Sequence, residues 1–417
     1  MKRILTNKLY LTTFIADMIS NFGDSLYYLA LMNYVLVLPD AQLAIALVTL
    51  SESLPLLTRF AMGVWADRTK DKVDTIVATQ IFRLVLYLIV GFVMGFSPSL
   101  WIVLVAVVVN VFSDLSGQYE SYLYIPLSLR IVSDEDREAA AAFRQASSAI
   151  LQIGFQASGA ILIAFMTYPQ LAFLNAGTFL ASALIMFAIR SSLIRLLEEH
   201  PLKMVEHNQS QGLVKELTSS FKDACTAIQK VPALQASIVA IMGINAVGSI
   251  LQSLVAAMIK DFGDFIIGSP ATTLASVSIA FFVGNIIGSI LCTNLFKKVS
   301  LITMVTVALG FLAIFFVAMV WHHIAFSLLM ISGTAVVTGG ATPKLSAMLF
   351  RELPEEKLAS IGSAIDSFLT FGMVLSRVAF SALILWLPVQ EISFIYLLLC
   401  LGLLGCTIIS RRKNQVV

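Results

Sequence analysis

Residues 301–320 read LITMVTVALGFLAIFFVAMV, without one charged or amide side chain. A bilayer core is crossed by about 20 apolar residues wound as a helix. In lipid the backbone polar groups must be satisfied within the segment itself, so a long apolar run means a helix. Outward from this stretch, the same reading places helices at about 9–37, 41–65, 73–96, 100–131, 138–167, 170–190, 233–259, 270–296, 300–321, 324–350, 358–387 and 389–410. The fold class is therefore an all-α, multi-pass membrane protein with twelve transmembrane helices.

Composition agrees. Of 417 residues, 58% are hydrophobic and 12% charged, and the mean hydropathy is +0.90. A soluble globule carries about 25% charged residues, so a water-facing fold of this size is excluded. Of the 27 lysines and arginines, most fall at the two termini or in every second gap between helices. Lys260 alone falls in an intervening gap, and Arg59, Arg83, Arg144, Lys344 and Arg377 lie within helices. Positive charge marks the cytoplasmic side, so both termini are expected in the cytoplasm, with the chain in the plasma membrane. Trp65, Trp101, Trp321 and Trp386 all fall at predicted helix ends, where an amphipathic ring sits best. Asp17 and Asp24 interrupt the first apolar run, which argues against a cleaved signal. Cys225, Cys292, Cys400 and Cys406 are read as free thiols, and a net charge of +2 is no nucleic-acid signal.

The longest polar stretch, about 191–232, divides the helices six and six. It is read as a cytoplasmic linker carrying an amphipathic segment with Leu213, Leu217, Phe221 and Ile228. The expected domains are a six-helix bundle over 1–190, the linker over 191–232, and a second six-helix bundle over 233–417. The bundles read as pseudo-repeats. Pro126 precedes the acidic run Ser133-Asp134-Glu135-Asp136-Arg137, and Pro343 precedes Pro354-Glu355-Glu356-Lys357. In both places small residues follow in the next helix. Two such bundles imply alternating access about a site near the bilayer midplane.

Gly63-Val64-Trp65-Ala66-Asp67-Arg68 closes the second predicted helix, with Lys70 and Lys72 beyond. This resembles the 2–3 loop motif of the major facilitator superfamily, Gly-x-x-x-Asp-Arg/Lys-x-Gly-Arg/Lys-Arg/Lys. Lys70 and Asp71 depart from it. Phe22-Gly23-Asp24 and Ala30-Leu31 in helix one, the junction after helix four, and the region from Lys215-Glu216 to Val231-Pro232 resemble the drug-efflux branch that contains macrolide exporters. In the family, the motif's aspartate locks one conformation against the N-terminus of helix eleven; this assigns gating to Gly63, Asp67 and Arg68. A carboxylate beside a positive helix end is a sound basis for such a lock. Two departures concern proton coupling. Asn110, Ser113 and Asp114 stand where many proton-coupled exporters carry an arginine, and Gly154-Phe155-Gln156-Ala157-Ser158-Gly159 lacks the proline of the helix-five antiporter motif.

Intramembrane charge carries the chemistry. Asp24, Glu52, Asp114 and Glu120 fall mid-helix in the first half, and Asp366 and Arg377 share helix eleven. Each costs roughly 2.5–3.5 kcal/mol or more if it faces lipid, so each must be paired, protonated or on a watery cavity. Glu52 and Arg59 are two turns apart, roughly 10 Å along the axis, and cannot pair directly. Asp114 and Glu120 point about 120° from one another, so at most one faces the cavity squarely. A desolvated carboxylate without an arginine partner is suited to bind and release protons. Asp24 is the first choice, followed by Glu120 and Asp114. Arg59, Arg83, Arg144 and Arg377 are read as intramembrane basic partners, and Lys344 as snorkelling to the headgroups. Tyr27, Tyr28, Tyr119 and Tyr122 flank the acids and suit a lipophilic cation. Gly91/Gly95 and Gly284/Gly288 have small-xxx-small spacing and are read as close helix packing.

No enzyme signature, phosphate loop or metal-ligand set is found, so no cofactor or metal is expected. Composition and resemblance together predict a proton-coupled efflux transporter of hydrophobic or amphipathic, macrolide-like compounds. Its expected partners are that substrate, protons and membrane lipids, with no nucleic acid, and the expected state is a monomer. The rival readings are a specific transporter of a metabolite, lipid or siderophore, and a non-transporting membrane sensor or immunity protein.

Overall fold

The computed structural model describes residues 6–133, 136–199, 232–292, 295–352 and 358–415. Among these are helices α1 (Lys8–Val35), α2 (Ala41–Ser51), α3 (Leu54–Arg68), α4 (Lys72–Val93), α5 (Leu100–Ile131), α6 (Arg137–Phe165), α7 (Tyr168–Glu199), α8 (Pro232–Gly248), α9 (Leu251–Asp261), α10 (Pro270–Cys292), α11 (Leu301–Val320), α12 (Ile324–Glu352), α13 (Leu358–Leu383) and α14 (Val389–Gln415), and no strand. Ten spans are long and apolar enough to cross a membrane, and Phe368–Leu383 is a shorter apolar helix. The linker beyond Glu199, Asp134, Glu135 and the Pro354–Lys357 run lie outside the described residues, as do the side chains of Asp67 and Asp366.

Two expected helices are broken. The second divides into α2 and α3 at Glu52 and Ser53. Pro55, in the first turn of α3, has no N–H for the carbonyl four residues back, so the regular ladder cannot run through. The seventh divides into α8 and α9 at Ser249 and Ile250, directly after Gly248. Hydropathy alone does not register either break. The sixth helix also runs to Glu199, into what was expected to be linker.

Two compact units emerge. The first contains Met1–Asp40 and Leu54–His207, and the second Ala41–Ser53 and Asn208–Val417. In the first, α1 packs on α6 and α7, α4 on α5 and α7, and α3 on α5. Asn7 starts α1 by accepting the Tyr10 N–H (3.0 Å), a standard use of a short amide at a helix N-terminus. In the second unit α2 packs on α9 and α13, and α10 on α12. The last contact depends on glycine. A Cβ at Gly288 would stand 1.9 Å from the Val336 carbonyl oxygen, and one at Gly284 2.6 Å from that of Ser332. The tryptophans at the helix ends, Trp65, Trp101, Trp321 and Trp386, are all exposed. Cys400 and Cys406 are free thiols.

Lys344 does not reach outward. Its ammonium donates to the carbonyls of Phe296 and Val299, and to that of Lys297 at 3.3 Å. These carbonyls belong to the turn between α10 and α11, which the lysine holds together.

Candidate functional site

Arg83 organises the first unit. It sits mid-way along α4 and is 3% exposed. Every arm of its guanidinium is used. Nε donates to Ser113 Oγ on α5 (3.0 Å), Nη1 to Ser20 Oγ on α1 (3.0 Å), and Nη2 to Asp24 Oδ2 on α1 (2.5 Å). Its Cζ lies 4.1 Å from the ring centre of Phe179 on α7, a cation–π contact. Ser20 and Asp24 are one turn apart on α1, and Ser113 and Gly117 one turn apart on α5, so each helix offers Arg83 a single face.

Asp24, the expected first choice for a proton carrier, does not meet the criterion of a carboxylate without an arginine partner, because Arg83 pairs with it. The pairing crosses from α1 to α4, a relation that spacing within one helix cannot reveal. The Asp24 side chain is 32% exposed, and Oδ1 accepts no hydrogen bond among the described residues. Asp17 is likewise committed, to Arg144 on α6 (2.5 Å) and to Asn21 (3.0 Å).

Glu120 on α5 fits the criterion that Asp24 fails. It is 3% exposed, and its hydrogen-bond partners are neutral: the Gln80 amide, which donates to Oε1, and the Thr79 hydroxyl, 3.1 Å from Oε2. Thr79 Oγ1 also lies 2.7 Å from the Ile76 carbonyl. A hydroxyl has one proton and spare lone pairs. With Glu120 protonated, Glu120 donates to Thr79 and Thr79 to Ile76. With Glu120 ionised, Thr79 turns its proton to Oε2. The site accommodates both states by rotation of one O–H bond. Asp114, six residues away on the same helix, is half-buried and accepts from Asn110 Nδ2 (3.1 Å), while Asn110 Oδ1 accepts from Tyr87 (3.2 Å).

The aromatic residues are placed by packing. Tyr27 does not line a cleft. It is 1% exposed and meets Tyr87 edge-on, with ring centres 4.7 Å apart. Tyr119 contacts the Thr69 hydroxyl at 2.5 Å, and Tyr122 lies against Gly63, where a Cβ would stand 3.8 Å from the ring. Tyr28 is half-buried. Of the gating motif, Gly63 therefore serves the α3–α5 contact and Arg68 ends α3. Lys72, expected as part of a basic loop, is 4% exposed and donates to the Ala66 carbonyl. The lock expected of Asp67 on the start of helix eleven lies outside the described residues. So does any role of the Asp366 side chain. Arg59 is half-buried and makes no hydrogen bond or ion pair among the described residues. An ion pair that spacing did not reveal joins Arg190 to Asp74, α7 to α4.

In the second unit, Arg377 on α13 binds carbonyls. Nη1 donates to the Glu52 carbonyl (2.8 Å) and Nε to that of Ser249 (3.3 Å). Glu52 thus contributes its backbone at the break between α2 and α3.

A profile described as the Major Facilitator Superfamily matches residues 9–377. No curated protein matches the chain. Among solved structures, the chain is similar to a bacterial homologue of the iron transporter ferroportin in its inward-facing state, at 15% identity and TM-score 0.68 over 96% of this chain and 98% of that one. It is similar to the peptide transporter POT in complex with sulfate, at 12% identity and TM-score 0.69 over 97% and 94%. It is also similar to the nucleoside transporter NupG, at 12% identity and TM-score 0.67 over 97% and 99%. At these identities the likeness is one of fold.

Proposed function

The chain belongs to the Major Facilitator Superfamily, a transporter and not an enzyme, and from that premise we propose that it is a proton-coupled exporter of hydrophobic or amphipathic compounds. The carrying observation is Glu120, a buried carboxylate with neutral partners that can hold or release a proton without displacing a heavy atom. Arg83 and Arg144 form their ion pairs with Asp24 and Asp17. Buried ionisable groups of this kind mark proton relays in transporters. Asp24 has a different part. Its side chain is a third exposed, so it offers an anionic contact to a cationic amphiphile. Lysine and arginine placement supports termini in the cytoplasm.

The test uses proteoliposomes loaded with a fluorescent lipophilic cation. Wild type moves it in response to a pH gradient. Glu120→Gln keeps an amide that hydrogen-bonds Thr79 but carries no exchangeable charge, so gradient-driven movement is lost while dye exchange without a gradient remains. Undiminished gradient-driven transport in Glu120→Gln removes Glu120 from the mechanism.

A further inference from the structure

The second unit contains an arrangement that the proton chemistry above does not use. Two helices are interrupted, and one side chain serves both interruptions. At the first, α2 ends at Ser51 and the Glu52 carbonyl has left the helical ladder; at the second, α8 ends at Gly248 and the Ser249 carbonyl has done the same. Arg377 donates to each. Carbonyls at the ends of helices carry the negative end of the dipole, so a guanidinium spanning two of them is stabilised by both. An intramembrane arginine held by backbone carbonyls is one of the few arrangements lipid tolerates.

Hydroxyls fasten the same elements. Ser249 Oγ lies 3.3 Å from the Met373 carbonyl on α13, and Ser381 on α13 donates to the Ala46 carbonyl on α2 (3.1 Å). Thr49 on α2 and Ser253 on α9 are hydrogen-bonded at 2.7 Å. Within the breaks the Glu52 and Ile250 N–H groups reach Val48 and Val247 at 3.3 Å, while those of Ser53 and Ser249 keep 2.9 Å bonds to Leu50 and Asn245.

We propose that Arg377 is a positioning residue that couples the two breaks into one joint, so that α2, α9 and α13 move as one body and bending concentrates at Glu52–Ser53 and Ser249–Ile250. Alternating access moves parts of the fold against one another, and discontinuous helices recur at its centre. The inference rests on the chain being a transporter and is independent of substrate and of proton coupling.

Hydrogen exchange of the full-length protein in lipid nanodiscs tests it without substrate or gradient. Removing a charge-assisted hydrogen bond raises local opening by about tenfold or more. In Arg377→Gln, the amides of Glu52, Ser53, Ile250 and Leu254 should therefore exchange about tenfold faster at both breaks together, while α11 and α12 keep wild-type rates. Arg377→Lys supplies a point charge in place of a fork and should restore protection at one break only. Wild-type exchange at either break in Arg377→Gln overturns the proposal, as does a uniform rise across the unit. If the glutamine variant does not fold, the lysine variant decides. Full protection at both breaks, or loss that extends through α11 and α12, overturns the coupling.

Discussion

Gly117 and Arg83 fit one another across α5 and α4: a Cβ at position 117 would stand 3.3 Å from both Cζ and Nη1 of the guanidinium. The arginine cannot yield easily, because three hydrogen bonds and the Phe179 ring fix its plane. Gly117→Val should lower stability by about 1–3 kcal/mol, as overpacking of a filled interior does, and should weaken the Asp24 contact. Thermal unfolding in detergent reads the first effect, and dye binding the second. A variant as stable as wild type would show that Arg83 is held less rigidly than its contacts indicate.

The Asp24–Arg83 pair should be asymmetric. Asp24→Ala strands a guanidinium that is 3% exposed, whereas Arg83→Met strands a carboxylate that is 32% exposed and can be hydrated. Removing one partner of a buried pair costs about 3–5 kcal/mol, and replacing both by apolar groups is often near neutral. The expected order of melting temperatures is therefore the double variant above Arg83→Met, and Arg83→Met above Asp24→Ala. A double variant less stable than either single one would contradict it.

Two glycines on consecutive helices of the second unit should respond oppositely to alanine. At Gly288 the new methyl would meet the Val336 carbonyl, part of a helix backbone that cannot step aside. Gly288→Ala should cost at least about 1–3 kcal/mol and separate α10 from α12. Gly310 on α11 has nothing within 4 Å of its Cβ position, so Gly310→Ala should be neutral or gain up to about 1 kcal/mol from helix propensity. Parallel melting curves check both.

The helices were legible because apolar length is written directly in the chain; α5 and Pro126 within it fall where hydropathy puts them. The intramembrane charges were equally visible. Their partners were not, because Arg83 meets Ser20, Asp24 and Ser113 on other helices, and spacing along one helix holds no information about the next. Thr79 and Gln80 were overlooked beside Glu120, although two polar residues in a row within an apolar helix are a signal in themselves. Pro55 announced the first break. The second had only Gly248 and Ser249, which many unbroken membrane helices also contain.

The grouping of Ala41–Ser53 with Asn208–Val417 bears on any attempt to make this transporter in pieces. A cut at the polar stretch after Glu199 would deprive the C-terminal fragment of the strip that covers Ser253, Arg377 and Ser381. That fragment would enter the bilayer with a guanidinium and two hydroxyls turned toward acyl chains. Co-expressed fragments should therefore recover function only when the N-terminal piece donates its second helix before either is degraded.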